Sequence, residues 1–273
     1  MSKRLLTYPL FGLIAAFSVL YIAHLLPLIV SQPVPPDWEQ HRIASNLIAS
    51  GESPYFLADW YRFRWSPVGA WIMVPLTALG PWVWFSSQFA VLLTLPRKLA
   101  LVTLLAFPFW ADVQAGNILT FAFVAAFHAL RGNTWAAGAF VGMALAVPRP
   151  LLLPLLAYLA WQHATWRVPI AVAGLLSVIA AVATGYHVDW VQMLLLTGTD
   201  ESHRLGAQLL PWWPLTGVVL AMVLTVRGFP AAAGFALQPY WLAYYWLLPL
   251  LDWARSGCGS CAEPAANSDN QGK

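Results

Sequence analysis

The sequence predicts an all-α, polytopic membrane protein of about eight to ten membrane helices. Three observations carry that expectation. Sixty per cent of the 273 residues are hydrophobic. Only 9% are charged, against about 25% in an average soluble domain. Apolar runs recur along almost the whole chain, and in lipid each backbone N–H and C=O must be satisfied within its own segment, which makes helices the default. The expected organisation is a single polytopic domain over residues 1–255, followed by a disordered Gly/Ala/Asn/Ser tail over 256–273.

The first run, residues 7–30, follows Ser2-Lys3-Arg4. At about 24 residues and without a small-residue cleavage site, it reads as a retained helix, not a signal peptide. A polar loop over 31–65 comes next and gathers Asp37, Glu39, Arg42, Glu52, Asp59, Arg62 and Arg64. Within it, Ile43, Ala44, Leu47 and Ile48 form the apolar stripe of a short amphipathic helix from Asp37 to Ser50. Gly51 supplies its stop. On that helix Asp37 and His41 stand one turn apart, so both can face one ligand. The local pattern Asp-x-x-Gln, Asp37 to Gln40, equally describes a capping box. His41 also fits a polar-face histidine.

Further candidate spans are 66–80, 82–95, 99–110, 114–130, 135–147, 150–162, 167–184, 211–226 and 230–251. Several fall short of the roughly 20 residues that cross a bilayer. The two pieces around Pro148-Arg149-Pro150 therefore read as half-depth helices meeting at a break, and 99–110 as an interfacial helix. A second polar loop, 185–210, holds Asp189, Asp200, Glu201, His203 and Arg204. With 135–162 as a returning hairpin, both polar loops reach one face. The positive-inside bias is nearly balanced, because Lys3 and Arg4 oppose Arg42, Arg62 and Arg64. Basic residues kept against that bias suit a phosphate better than they suit orientation.

Composition also excludes functions. The net charge of +3 is scattered and gives no nucleic-acid footprint. A lone Cys258-Gly-Ser-Cys261 is half a zinc site at most. His24, His128, His163 and His187 lack ligand spacing. Neither a metal nor another cofactor is expected.

Ordered blocks from about residue 37 to 251 resemble glycosyltransferase family 87, polytopic enzymes of the GT-C type that use polyprenyl-phosphate sugars. Asp37 follows the first helix, and "ASNLIASGESPYF" (Ala44 to Phe56, with Tyr55) is similar to that family's alanine-rich helix and Gly-x-x-Pro-Tyr. "YRFRWSPVGAWIMVPLTALGP" (Tyr61 to Pro81) resembles its aromatic-Pro entry to the second helix. "VQAGNILTFAFVAAFHALRGN" (Val113 to Asn133) is similar to its Gly-Gln-x-Asn helix, rearranged here as Gln114-Ala115-Gly116-Asn117. "AAGAFVGMALAVPRPLLLPLLAYLAWQHATWR" (Ala136 to Arg167) resembles its Lys-Pro-x-Pro block, with Arg149 where Lys is usual. "LQPYWLAYYWLLPLL" (Leu237 to Leu251) is similar to its last motif, with Gln238 and Tyr245 at the usual polar positions.

The resemblance implies a GT-C-like bundle in the plasma membrane, with multiple passes and with the first loop's short helix and site loops outside the cytoplasm. It implies transfer of a hexose, possibly mannose, from a polyprenyl-phosphate donor to a lipid or glycan acceptor, with inversion. Asp37 would be the general base. Arg149 leads the candidates for the phosphate, with Arg62 and Arg64 behind it. His41, Tyr55, Asn117, Gln114, His203 and Arg204 complete the substrate-binding set. The competing readings are a noncatalytic lipid-binding or transport protein built on the Arg149 break, an inactive member of the family, and a scaffold subunit with no site.

Overall fold

The structure is a computed structural model, described for residues 16, 18–24, 27, 31, 34–56, 63–147, 149–197, 212–238 and 242–257. Among these residues all regular structure is helical. We number the helices α1 (Pro36–Ala49), α2 (Pro67–Ala78), α3 (Pro81–Leu92), α4 (Arg97–Leu105), α5 (Phe107–Ala115), α6 (Leu119–Leu130), α7 (Thr134–Ala146), α8 (Leu153–Gln162), α9 (Arg167–Ala183), α10 (His187–Thr197), α11 (Leu215–Val226), α12 (Pro230–Leu237) and α13 (Pro249–Gly257). Short 3₁₀ turns at Pro150–Leu152, Ala164–Trp166 and Ala243–Leu247 join some of them.

Proline punctuates this bundle. Pro36, Pro67, Pro81, Pro108, Pro154 and Pro230 each fall in the first two residues of a helix, where the missing N–H costs nothing. Such starts explain why continuous apolar sequence becomes short helices. The expected span 99–110 is thus two helices, α4 and α5, bent by 69° at the Ala106 junction. The expected span 230–251 divides into α12, a 3₁₀ turn and the start of α13. The expected polar loop 185–210 opens with α10. Most of the expected first span, the remainder of that second loop, Cys258, Cys261 and the tail from 258 onward lie outside the described residues.

Among the described residues one helix, Ala164–Ala183, is long and apolar enough to cross a membrane, and the number reaches three if each of the two bent pairs, α2 with α3 and α4 with α5, counts as one span. The described residues thus hold fewer such helices than the eight to ten expected of the chain, and in them α6, α7, α8 and α11 are apolar but short. Only 6% of the Ala164–Ala183 window is buried, so its Val168, Leu175, Val178 and Ile179 look outward.

The largest buried cluster runs through α5, α6, α7 and α8, with Phe109, Phe123, Phe140, Leu151, Leu155, Tyr245 and Leu248. A second gathers aromatics from α1 and the loop before α2: Trp38, Tyr55, Phe63 and Trp65, with Met73, Trp84 and Ala146. The second cluster fixes loop 1 onto the bundle. The Ser66 N–H donates to Ala146 O at 2.9 Å and its hydroxyl to the same oxygen at 3.1 Å, tying the start of α2 to the end of α7. Tyr55 Oη donates to Trp65 O at 2.8 Å, and Trp190 Nε1 to Arg64 O at 3.3 Å.

Candidate functional site

Three chain reversals converge where α1, the α5–α6 turn and the α7–α8 break meet. α1 begins after Pro35, which holds extended dihedrals, and no side chain caps its N-terminus. Asp37 therefore does not act as the capping residue that Asp37 to Gln40 suggested. Proline at the first helical position already lacks an N–H to cap, and the carboxylate is directed elsewhere. Its Oδ2 accepts a hydrogen bond from Asn117 Nδ2 at 2.7 Å.

Asn117 is presented by a tight reversal. Gly116 ends α5 in the left-handed conformation, φ 75°. Its Cα faces the start of α1 so closely that a Cβ would lie 3.0 Å from Pro35 Cβ and 3.1 Å from Trp38 Cβ. Asn117 Oδ1 accepts the Ile118 N–H at 2.8 Å, while its carbonyl accepts Gln88 Nε2 at 2.7 Å. The residue is thus held through its side-chain oxygen and its backbone carbonyl, and its side-chain amide N–H reaches the carboxylate.

Arg149 occupies the break. Its backbone is extended, φ −110° and ψ 135°, before the 3₁₀ turn Pro150–Leu152. Arg149 Nη1 donates to Tyr245 Oη at 3.0 Å, and its guanidinium lies 5.3 Å from the Tyr245 ring centre and 5.9 Å from that of Tyr244. The buried Gln238 Oε1 accepts the Leu151 N–H at 3.2 Å, supplying the unwound segment with an acceptor. Gly234 lets α12 approach the same turn, because a Cβ there would run into Leu151 O. Gln238 and Tyr245 are thus the residues that hold the Arg149 break.

The electrostatics join these parts. Burial raises the Asp37 pKa above the ordinary carboxylate value, while the positive charge of Arg149, the Asn117 hydrogen bond and the charge of Arg64 pull it down. Asp37 as a residue is half-buried, its carboxylate in a desolvating surrounding. His41 is different. It is 3% exposed, its ring packs 4.3 Å from Trp65 and 5.9 Å from Phe63, and neither ring nitrogen has a hydrogen-bond partner. Burial, helped by the charge of Arg149, pushes its pKa down to about 3. His41 is therefore a neutral, aromatic-packed group, not the polar-face histidine its position suggested.

An apolar groove of about 680 Å³ adjoins this cluster. Its lining includes Trp38, Trp65 and Ile118, whose chain neighbours Asp37, Arg64 and Asn117 carry polar groups, together with Ala146, and continues past Met73, Phe121 and Met143 to Thr94 and His128. From Ala146 to Ala136 along α7 it extends about 15 Å, at 1.5 Å per helical residue.

Among the sequence candidates, the structure brings together Asp37, His41, Arg64, Asn117 and Arg149. Tyr55 stands outside the cluster as a strut that fixes Trp65. Gln114 is half-buried on α5 and takes no part in these hydrogen bonds. Glu39 pairs with Arg42 on the outer face of α1, with Arg42 Nε donating to Oε2 at 2.8 Å. Arg62, His203, Arg204 and Asp59 lie outside the described residues.

One residue of this region escaped the sequence reading. Asp112 is fully buried on α5, and Arg149's charge acts on it as on Asp37 and His41. Its signal was present: a lone carboxylate in the apolar stretch Thr103 to Asn117 is a functional hypothesis by default. Placing it in a gap between the expected spans 99–110 and 114–130 hid that signal. Comparison with family models, curated proteins and solved structures gave no match to this chain.

Proposed function

We propose that this chain is a membrane glycosyltransferase that moves a hexose from a polyprenyl-phosphate donor to a lipid or glycan acceptor with inversion. The observation that carries the reading is a half-buried carboxylate, Asp37, that feels the charge of the cation Arg149, next to a groove that is almost wholly apolar. A lipid phosphate has both halves of that description: an anion for Arg149 and Arg64, and a hydrocarbon tail for the groove. The aromatics Trp38 and Trp65 line the groove beside the polar cluster, as amphipathic rings do at a membrane boundary.

The chemistry asks little more of the protein. The acceptor hydroxyl attacks the anomeric carbon, its proton passes to a carboxylate oxygen of Asp37, and the C–O bond to the phosphate breaks with the electron pair leaving on that phosphate. Desolvation makes Asp37 a stronger base than a surface carboxylate. Arg149 favours the charge that grows on the departing phosphate, and the Tyr245 hydroxyl and ring keep the guanidinium oriented. His41, neutral, adds no charge that would compete for the phosphate.

The placing of basic residues supports an orientation. α6 runs from Leu119, beside the cluster, to Arg131, α7 returns from Thr134, and α9 runs from Arg167 toward Trp190, which contacts loop 1. Thr94 Oγ1 lies 3.1 Å from His128 Nε2, which puts the start of α4, with Arg97 and Lys98, at the Arg131 end. These four basic residues gather away from Asp37 and favour a cytoplasmic location for that end, with the site outside the cytoplasm at the plasma membrane.

The test is Asp37→Asn in membranes supplied with a polyprenyl-phosphate sugar. Transfer is expected to fall about 10²- to 10⁴-fold, the usual worth of a general base, with the unfolding midpoint unchanged. Wild-type turnover in that variant removes Asp37 as the base.

A further inference from the structure

The groove has a second end, away from Trp38 and Trp65. Its walls come from α2, α3, α6 and α7, and at this end the lining is Thr94, just past α3, His128, in the last turn of α6, and Ala136, in the first turn of α7. Thr94 Oγ1 lies 3.1 Å from His128 Nε2, which ties two of these chain ends together. Three cations border them. Arg131 follows His128 by three residues, its N–H donates to His128 O at 3.1 Å, and its guanidinium stands 5.4 Å from the Phe127 ring centre. Arg97 and Lys98 come three and four residues after Thr94 and open α4. All three cations are exposed, and so, at 89%, is Trp135 beside Ala136.

The fold gives Arg97 and Lys98 no counter-charge. No acidic residue stands between Asp59 and Asp112 or between Asp112 and Asp189, and among the described residues neither cation has an ion-pair partner. Cations in the first turn of a helix oppose its dipole, so the pair weakens α4 slightly instead of supporting it. The positive-inside bias accounts for the sign of this end but not for its place at the mouth of an apolar groove.

A groove with apolar walls stays dry and takes up an apolar chain. Which membrane lipid supplies that chain is decided by the charge at the rim. We propose that the Arg131 end of the groove binds an anionic phospholipid of the adjoining leaflet. Arg97, Lys98 and Arg131 hold its phosphate, Trp135 lies at the level of the headgroups, and one acyl chain enters the groove. A cytoplasmic position for this end agrees with the anionic character of that leaflet. The site itself stands on the groove and its rim. One consequence rests on the glycosyltransferase reading: the acyl chain and the donor's polyprenyl tail enter one groove from opposite ends, so anionic phospholipid competes with the donor.

The experiment places the full chain in bilayers of phosphatidylcholine with and without phosphatidylglycerol of the same acyl chains, and counts the lipids retained on the protein by native mass spectrometry. The unfolding midpoint in phosphatidylcholine alone is the control for folding. Wild type should retain phosphatidylglycerol in preference. Arg97→Gln, Lys98→Gln and Arg131→Gln should each lower that preference about fivefold, and the triple variant about 10²-fold. An unchanged preference in the triple variant overturns the headgroup assignment. Gly142→Leu fills the groove from an exposed position where a Cβ meets nothing within 4 Å, so the helix accepts it. It should abolish retention with all three cations intact; wild-type retention overturns the groove as the seat of the acyl chain. Glycerol phosphate carries the headgroup anion without a chain and should not displace the lipid. Displacement at equal concentration would make the ligand a free phosphate and overturn the lipid. In the transfer assay, added phosphatidylglycerol should raise the donor KM of wild type and not that of the triple variant. An unmoved KM in a protein that transfers sugar overturns the competition. A phosphatidylglycerol preference in a protein that transfers no sugar supports the site and rejects the glycosyltransferase reading, so the two failures are distinguishable.

Discussion

Gly116→Ala isolates the close approach on which the candidate site depends. The residue holds φ 75°, and forcing a Cβ into the left-handed region costs about 1–2 kcal/mol. The alanine also loses less chain entropy on folding, which offsets about 0.4–1 kcal/mol. The steric part comes on top. The new Cβ would sit 3.0 Å from Pro35 Cβ, 3.1 Å from Trp38 Cβ and 3.2 Å from the Trp38 backbone nitrogen. Two of these neighbours are tightly placed at the start of α1, so the helix must shift by a few tenths of an ångström, an overpacking cost of about 1–3 kcal/mol. The net expectation is a loss of about 1–5 kcal/mol. Gly132→Ala is the matched control. Its φ is 88° and nothing lies within 4 Å of its Cβ position, so it carries the strain without the wedge. Reversible unfolding in mixed micelles should show Gly116→Ala the more damaging by about 1–3 kcal/mol. Sugar transfer should fall in Gly116→Ala alone, because the shift separates Asp37 from Asn117. Equal losses of stability and of activity in the two variants would refute the argument that this glycine sets the spacing.

Arg149→Leu should raise the donor KM by about tenfold or more, the loss of one charge-assisted phosphate contact, and Tyr245→Phe should reproduce a smaller part of that rise by leaving the guanidinium unheld. An unchanged KM in both would return Arg149 to a structural role. Filling the groove with Ala139→Trp should weaken long-chain polyprenyl-phosphate donors while sparing short-chain analogues; equal effects on both would show that the tail binds elsewhere. His41 has a folded pKa of about 3 against an ordinary value of 6.5. The unfolded state therefore binds the extra proton first, and stability should fall as pH drops from about 6.5 toward 3. His41→Phe, stacked in the same aromatic pocket, should lose that acid dependence in unfolding measured from pH 7 to 4; a wild-type profile in the variant would contradict the burial of His41.

Much of the helical content was legible because it depends on local properties. Apolar runs, proline at helix starts and Gly51 after Ser50 mark their own boundaries, and α1, α2, α7 and α9 lie close to the expected segments. The bends were not legible in the same way. Whether two apolar stretches continue straight, as 99–110 was expected to do, or turn by 69° at Ala106 depends on what packs against the junction, and Ser18 Oγ accepts the Phe107 N–H there from a helix 89 positions earlier. Arg149 announced itself as a charge in a Pro-x-Pro break. The capping reading of Asp37 failed for a concrete reason: the pattern records which residues stand three apart, not which partner reaches the carboxylate first.

Composition by itself determined that this chain is an apolar, helical one with a few conspicuous charges, because burial preference and helix punctuation act through neighbours in sequence. Tertiary structure decided which of those charges meet. Asp37, Asn117 and Arg149 are separated by 80 and 32 positions, and Tyr245 lies 96 beyond Arg149. Only the folded reversals at Gly116 and at the Arg149 break bring a carboxylate, its amide and a cation within reach of one another. Electrostatic coupling depends on distance through space, which no spacing along the chain encodes.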